Sequence, residues 1–302
     1  MMMEDYGSRR AKLGIYSDRV VLSVEEHTEE AGSYCLCRKE WEEDFLDAQG
    51  CVLRESLLKA LERLVLRAKQ LDCSQIVCLG CGLLRYDDSG LQQFLGERLG
   101  VPVCAVSGSE QSRAACMGMQ RSVPGSCGCE AGMHSSDMST QIFSMNRESG
   151  WQESFPLGWR FLWQQYGSLV PNRVEEEQMR QEIKMMLEMT SLPKQSGGGR
   201  LCAAGLDAAA RFLWLTAGSA ERPGEGICIE RETFGQLFRA LRNPSLRWLG
   251  TLEQAGGLFP QKVFCQLLIL ETVMEHLGVR EALLGRVCLE DYLQDAQALC
   301  SN

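Results

Sequence analysis

The first half of the chain alternates short apolar runs with amphipathic helical repeats, and this alternation restricts the fold more than any other feature. Between Leu53 and Leu71, the residues Leu57, Leu58, Leu61, Leu64, Val65 and Ala68 recur at helical spacing. Gln75 to Leu84, QIVCLGCGLL, is a short apolar run that predicts a strand. Ser89 to Leu99 predicts a second helix, and Val101 to Val106 a further strand. Strands separated by helices lie side by side in a mostly parallel sheet, so this half is α/β. Ahead of it, Lys12 to Glu26 predicts a strand, a tight turn at Ser17-Asp18 and a second strand. A third strand, SYCLCRKEW, follows a turn at Ala31-Gly32.

The texture changes between Arg121 and Ser136. The segment RSVPGSCGCEAGMHSS is rich in Gly, Ser and Cys and reads as loop or linker. It divides the chain into expected domains of residues 1–120 and 121–302. Two short strands, TQIFSMN and GWQESFPLG, come next, then a charged amphipathic helix from Val174 to Met189. SLPKQSGGGR reads as a surface connection before the strand LCAAG, and the remainder to Leu299 reads as mainly helical. The Gly-rich run Ser196–Arg200 leads into a strand rather than a helix, so it lacks the dipole that helps a helix start hold an anion.

Composition narrows the function classes. The net charge of −9 over 302 residues argues against a general nucleic-acid binder, which needs a basic face. An apolar run of about 18 residues, as a membrane span requires, does not occur. The N-terminal stretch lacks the apolar core of a signal peptide, so the expectation is a cytoplasmic chain with no membrane partner. Fifteen cysteines are many, but Cys78, Cys104 and Cys265 sit in apolar runs where thiols act as small hydrophobes. Most are expected as free thiols, with no disulfide needed for folding. Cys78 and Cys81 form C-x-x-C, and Cys127 and Cys129 form C-x-C near His134, spacings that zinc sites use. A structural zinc wants four ligands, and no second pair follows at finger spacing, so solvated loop residues are expected and no metal ligand is assigned.

Taken in order, these pieces resemble the Ppx/GppA family of exopolyphosphatases and pppGpp phosphohydrolases, over about Lys12 to Asp295. GIYSDRVVL stands where that family has its first phosphate loop, D-[IL]-G-S-N-S. IVCLGCGLLR stands at its T-x-x-L-R motif, with Arg85 matching the arginine. VPVCAVSGSEQSRAACMGM stands at S-G-x-E-E-A-R, where Ser107, Gly108, Glu110 and Arg113 match. SFPLGWRFL resembles the S-x-P-L-G strand end through Pro156, Leu157 and Gly158, and LCAAGLDAAARFL the third loop through Gly205. LLILETVMEHLGVREALLGRVCLEDYLQD resembles the closing helix, strand and helix. The resemblance implies a two-domain, actin-like (ribonuclease-H-like) ATPase fold, with a mixed five-stranded sheet and flanking helices in each domain.

The resemblance also implies a nucleotide, pppGpp or polyphosphate ligand in the inter-domain cleft, Mg²⁺ if the chain is active, and leaves a homodimer open. Ser17, Asp18, Arg85, Ser139, Thr140 and Gly205 are the anion-binding candidates, and Glu110 and Gln111 the degenerate catalytic pair. The departures fall on the chemistry. The first-loop Asp is Gly14 and its Gly is Tyr16; the water-activating Glu is Gln111; the second loop, D-I-G-G-G-S-T-E, is roughly HSSDMSTQ; D-G-x-x-R-E is reduced to Glu290. A glycine offers Mg²⁺ no ligand, a side chain in a phosphate loop blocks anion approach to backbone N–H groups, and glutamine is no general base. Three functions therefore stay open: a non-catalytic relative that binds a ligand, an active phosphoanhydride hydrolase with a rearranged site, and an interaction scaffold with an empty cleft.

Overall fold

The computed structural model describes residues 8–28, 32–47, 50–85, 90–146, 150–166, 170–193, 199–217, 226–242 and 260–293. Contacts divide the chain into two compact units, one of residues 1–111 with 289–302 and one of residues 112–288. The sequence expectation set the division at 120/121 and kept the C-terminal residues with the second domain.

The first unit is built on a five-stranded mixed sheet. Its strands are β1 (Ser8–Ile15), β2 (Arg19–Thr28), β3 (Gly32–Glu42), β4 (Gln75–Gly80) and β5 (Val103–Ala105), in the spatial order β3-β2-β1-β4-β5. β1 lies in the middle because it is apolar where it must be: Ala11, Leu13 and Ile15 are buried. It pairs antiparallel with β2 and parallel with β4, so its backbone donors and acceptors are used on both sides. α1 (Arg54–Gln70) buries the expected stripe from Leu57 to Ala68 and packs on β1, β2 and α2 (Leu91–Leu99). Each such leucine contributes roughly 1.5–3 kcal/mol. The short helix Leu289–Tyr292 packs on β1.

The second unit holds a six-stranded mixed sheet of β6 (Ala131–Ser135), β7 (Thr140–Ser144), β8 (Gln152–Phe155), β9 (Arg200–Ala204), β10 (Ile227–Glu230) and β11 (Glu281–Leu284), in the order β10-β11-β9-β6-β7-β8. Five of these repeat the first sheet's connectivity: an antiparallel three-strand meander, then two strands parallel to its first member. The sixth, β10, adds antiparallel to β11 at the edge. This sheet therefore has one strand more than the sequence suggested. The core is centred on Pro260–Leu277, an almost wholly buried helix against which Trp159–Tyr166, Arg173–Glu188, Asp207–Ala217 and Phe234–Arg242 pack.

In chain order the helices after α2 are α3 (Gly108–Ser122), α4 (Trp159–Tyr166), α5 (Arg173–Glu188), α6 (Asp207–Ala217), α7 (Phe234–Arg242), α8 (Pro260–Leu277) and α9 (Leu289–Tyr292). The run Arg121–Ser136 is not a linker throughout. Its second part is β6, buried along its length between β7 and β9. Small residues stand there because neighbours fill their space: a Cβ on Gly132 would run into the Phe143 ring. Gly132, which imitates a loop residue in the sequence, is the mark of close packing. The SGGGR run lies largely outside the described residues.

Burial pushes the Cys78 and Cys265 thiols up to about 12, which keeps them neutral small hydrophobes. Cys35, Cys73, Cys127 and Cys228 are free thiols, whereas Cys104 departs from the expectation and is disulfide-bonded.

Candidate functional site

The first loop follows β1. Tyr16 N donates to Arg19 O at 3.0 Å, which closes the turn over Ser17 and Asp18. The backbone of residues 43–45 covers this turn, with Phe45 N on Ser17 O at 2.8 Å and Glu43 N on Asp18 O at 3.2 Å. Ser17 is fully buried, and Asp18 pairs with Arg19 at 3.4 Å. Beneath the loop, Tyr16 Oη donates to Glu290 Oε1 at 2.7 Å, and Arg38 Nη2 stands 3.6 Å from Glu290 Oε2. Glu290, on α9, is 1% exposed. Its carboxylate fills the space into which a side chain at position 14 would project: a Cβ there would overlap Oε1 and lie 2.8 Å from Cδ.

Burial, with the Glu290 charge adding to it, raises the Tyr16 hydroxyl well above the ordinary tyrosine value of 10.0. The folded state thus holds this proton more tightly than the unfolded chain does. The stability it contributes is present below about pH 10 and is lost as pH rises beyond that. Tyr16→Phe is expected to flatten the fall of melting temperature between about pH 10 and 11. Equal slopes in both proteins would contradict this.

Arg85, Glu110 and Gln111 meet at the end of β5. Arg85 donates through Nε at 3.1 Å and Nη2 at 2.9 Å to Val106 O, and Gln111 Nε2 reaches the same carbonyl at 3.4 Å. The guanidinium fork is spent on a backbone acceptor. Gln111 is wholly buried, and its Oε1 meets no hydrogen-bond partner among the described residues. Glu110 forms a capping box at the start of α3: its carboxylate accepts from Ser107 N at 2.8 Å and Ser107 Oγ at 2.6 Å, and Glu110 N donates to Ser107 Oγ at 3.3 Å. Arg113 is exposed one turn on.

The second and third loops lie in the other unit. Ser139 and Thr140 sit at the β6–β7 turn, both fully buried. Ser139 Oγ accepts from Gln141 Nε2 at 2.9 Å, and Thr140 Oγ1 bonds Ser135 Oγ at 2.9 Å and Leu157 O. The turn packs on the β8–α4 connection, where Arg160 N donates to Asp137 O at 3.1 Å and a Cβ on Gly158 would overlap Asp137 backbone atoms. Gly205 ends β9 at φ +76° against Ser135 O. The candidate hydroxyls are thus turned inward onto protein hydrogen-bond partners.

Mg²⁺ does not fit the first loop as built. Position 14 offers no ligand, the Glu290 carboxylate already takes Tyr16 and faces Arg38, and Asp18 pairs with Arg19. Among the described residues no three His, Cys, Asp or Glu side chains gather to hold a metal. The free thiols of Cys129 and Cys202 hydrogen-bond to each other, and His134 Nδ1 meets Gln141 Oε1 at 3.2 Å. The sequence had flagged Tyr16 and Glu290 separately, but not as partners, and Arg38 not at all. Nothing in one sequence links two positions so far apart.

No known family profile matches the chain, and no curated protein is detectably similar in sequence. Solved structures are similar over nearly all of it. An exopolyphosphatase from Cytophaga hutchinsonii superposes with a TM-score of 0.75 at 13% identity, covering 94% of this chain and 96% of its own. The Aquifex aeolicus PPX-GPPA enzyme gives 0.70 at 12% identity, covering 98% and 99%. An exopolyphosphatase-like protein gives 0.75 at 10% identity, covering 98% and 99%. At these identities the likeness establishes the fold: the chain has the two-domain actin-like ATPase fold of Ppx/GppA exopolyphosphatases, as the order of its motifs implied.

Proposed function

We propose that this chain is a cytoplasmic, non-hydrolytic protein on the Ppx/GppA fold that acts by binding a ligand or a partner. The observation that carries this reading is the engagement of both residues at the catalytic position. Glu110 is committed to capping α3, and Gln111 is buried with its amide on Val106 O. Gln111 carries no carboxylate, and that of Glu110 is held by Ser107. Losing a general base costs roughly 10²–10⁴-fold by itself, and position 14 of the first loop offers no metal ligand as well.

Purified protein with Mg²⁺ is therefore expected to hydrolyse polyphosphate and pppGpp at background rates. Gln111→Glu is expected to restore little, because metal placement and oxyanion binding would still be absent. A thermal-shift series with nucleotide, pppGpp and polyphosphate separates ligand binding from action through a protein partner, a second copy included. One observation favours a second reading, a working hydrolase with a rearranged site: the Gln111 Oε1 atom without a hydrogen-bond partner could orient a water without deprotonating it. Turnover near 1 s⁻¹ or faster, in the range of ordinary enzymes, and abolished by Gln111→Ala, would establish that reading and overturn the first.

A further inference from the structure

We propose that Glu290 is a built-in occupant of the first loop, a carboxylate that closes the loop from within the chain and makes glycine obligatory at position 14. This deepens the non-hydrolytic reading and rests on it for its functional meaning, but its geometry stands by itself. Three features converge. Glu290 is buried to 1% exposure on a short helix packed against β1. Its two oxygens face different partners: Oε1 accepts from Tyr16 Oη at 2.7 Å, and Oε2 is ion-paired with Arg38 Nη2 at 3.6 Å. The carboxylate lies in the space above Gly14 that any larger residue would need.

A buried carboxylate is costly unless its charge is met by hydrogen bonds and an opposite charge. Here both come from the hairpin and its neighbour strand: Tyr16 follows β1, and Arg38 lies on β3. The position that must present a metal-holding side chain in a phosphate-handling loop is therefore taken by a residue from α9. The replacements are mutually dependent. An aspartate at 14 would meet the Glu290 carboxylate, adding like-charge repulsion to overlap. Tyr16 in turn supplies the hydroxyl that this carboxylate needs. The two departures from the phosphate-loop pattern, at positions 14 and 16, and the retained Glu290 form one arrangement rather than separate losses.

A thermodynamic cycle tests this in the full chain, using wild type, Gly14→Ala, Glu290→Ala and the double variant. Gly14 does not adopt a positive φ, so alanine is conformationally acceptable there and its cost reports the overlap. Gly14→Ala is expected to lower the melting temperature by about 6 °C or more beside Glu290, and by less than about 2 °C in the Glu290→Ala background. If Gly14→Ala alone fails to fold, recovery of a cooperative melt in the double variant supports the same conclusion. Additive effects, or a double variant no more stable than Gly14→Ala, overturn it. The outcome is independent of the hydrolysis assay: measurable turnover with strong coupling would sink the non-hydrolytic reading and leave the closed loop standing, and the reverse result would do the opposite.

Discussion

Gly205→Ala is expected to destabilise the second compact unit by roughly 3–5 kcal/mol, among the largest effects a single methyl group can have. Two independent costs add. Gly205 sits at φ +76°, where an L-residue pays about 1–2 kcal/mol for its Cβ. The added Cβ would also overlap Ser135 O and lie 3.0 Å from Ser135 C and 3.1 Å from His134 Nε2. Ser135 cannot retreat easily, because β6 is paired on both sides and its hydroxyl bonds Thr140. A fall in melting temperature of about 10 °C or more is the expected reading by circular dichroism. Gly128→Ala is the control, since nothing lies near its missing Cβ. A Gly205→Ala protein melting within about 2 °C of wild type would show that the β6–β9 junction is far more yielding than its geometry implies.

Phe264→Ala is the second large effect, expected at about 3–5 kcal/mol. Phe264 is wholly buried on α8, and its ring lies 5.0 Å from that of Phe238 at a 48° tilt. Truncation removes the transfer free energy of the ring and leaves a cavity in the helix on which α4 to α7 converge. The aromatic pairing with α7 is lost at the same time. Phe264→Leu keeps most of the volume and is expected to cost less than half as much. Urea unfolding measures both: the midpoint should fall while the slope stays constant. A shift for Phe264→Ala no larger than that for Phe264→Leu would contradict a tightly packed α8.

The elements that were legible in the sequence are those whose apolar residues form a clear stripe or run. α1 declared itself through its leucine stripe, and β1 and β2 through apolar runs on either side of the Ser17-Asp18 turn. β6 did not, because a strand enclosed by two neighbours and the Phe143 ring is made of residues that elsewhere signal a loop. β10 is only four residues long at a sheet edge, too short for alternation to register. The candidate site was legible as positions, not as bonds. Motif order located Arg85 and Gln111, but their sharing of the Val106 carbonyl depends on how β5 ends. Ser139 and Thr140 were identified as hydroxyls that could meet an anion, yet local turn geometry turns them onto partners within the protein.

The placement of α9 with the first unit has a consequence for the order of synthesis. Every strand of the first sheet has been made by Ala105, but Glu290 follows only after the whole second unit has been translated. At about 5–20 residues per second, that interval is on the order of 10–35 s. During it the nascent hairpin carries Tyr16 without its acceptor and Gly14 with the space above it unfilled. The second unit runs without interruption from Ser112 to Cys288 and ends only two residues before Glu290, so the first unit cannot close until the second has been made. The part of the protein that is made first is therefore the part that closes last.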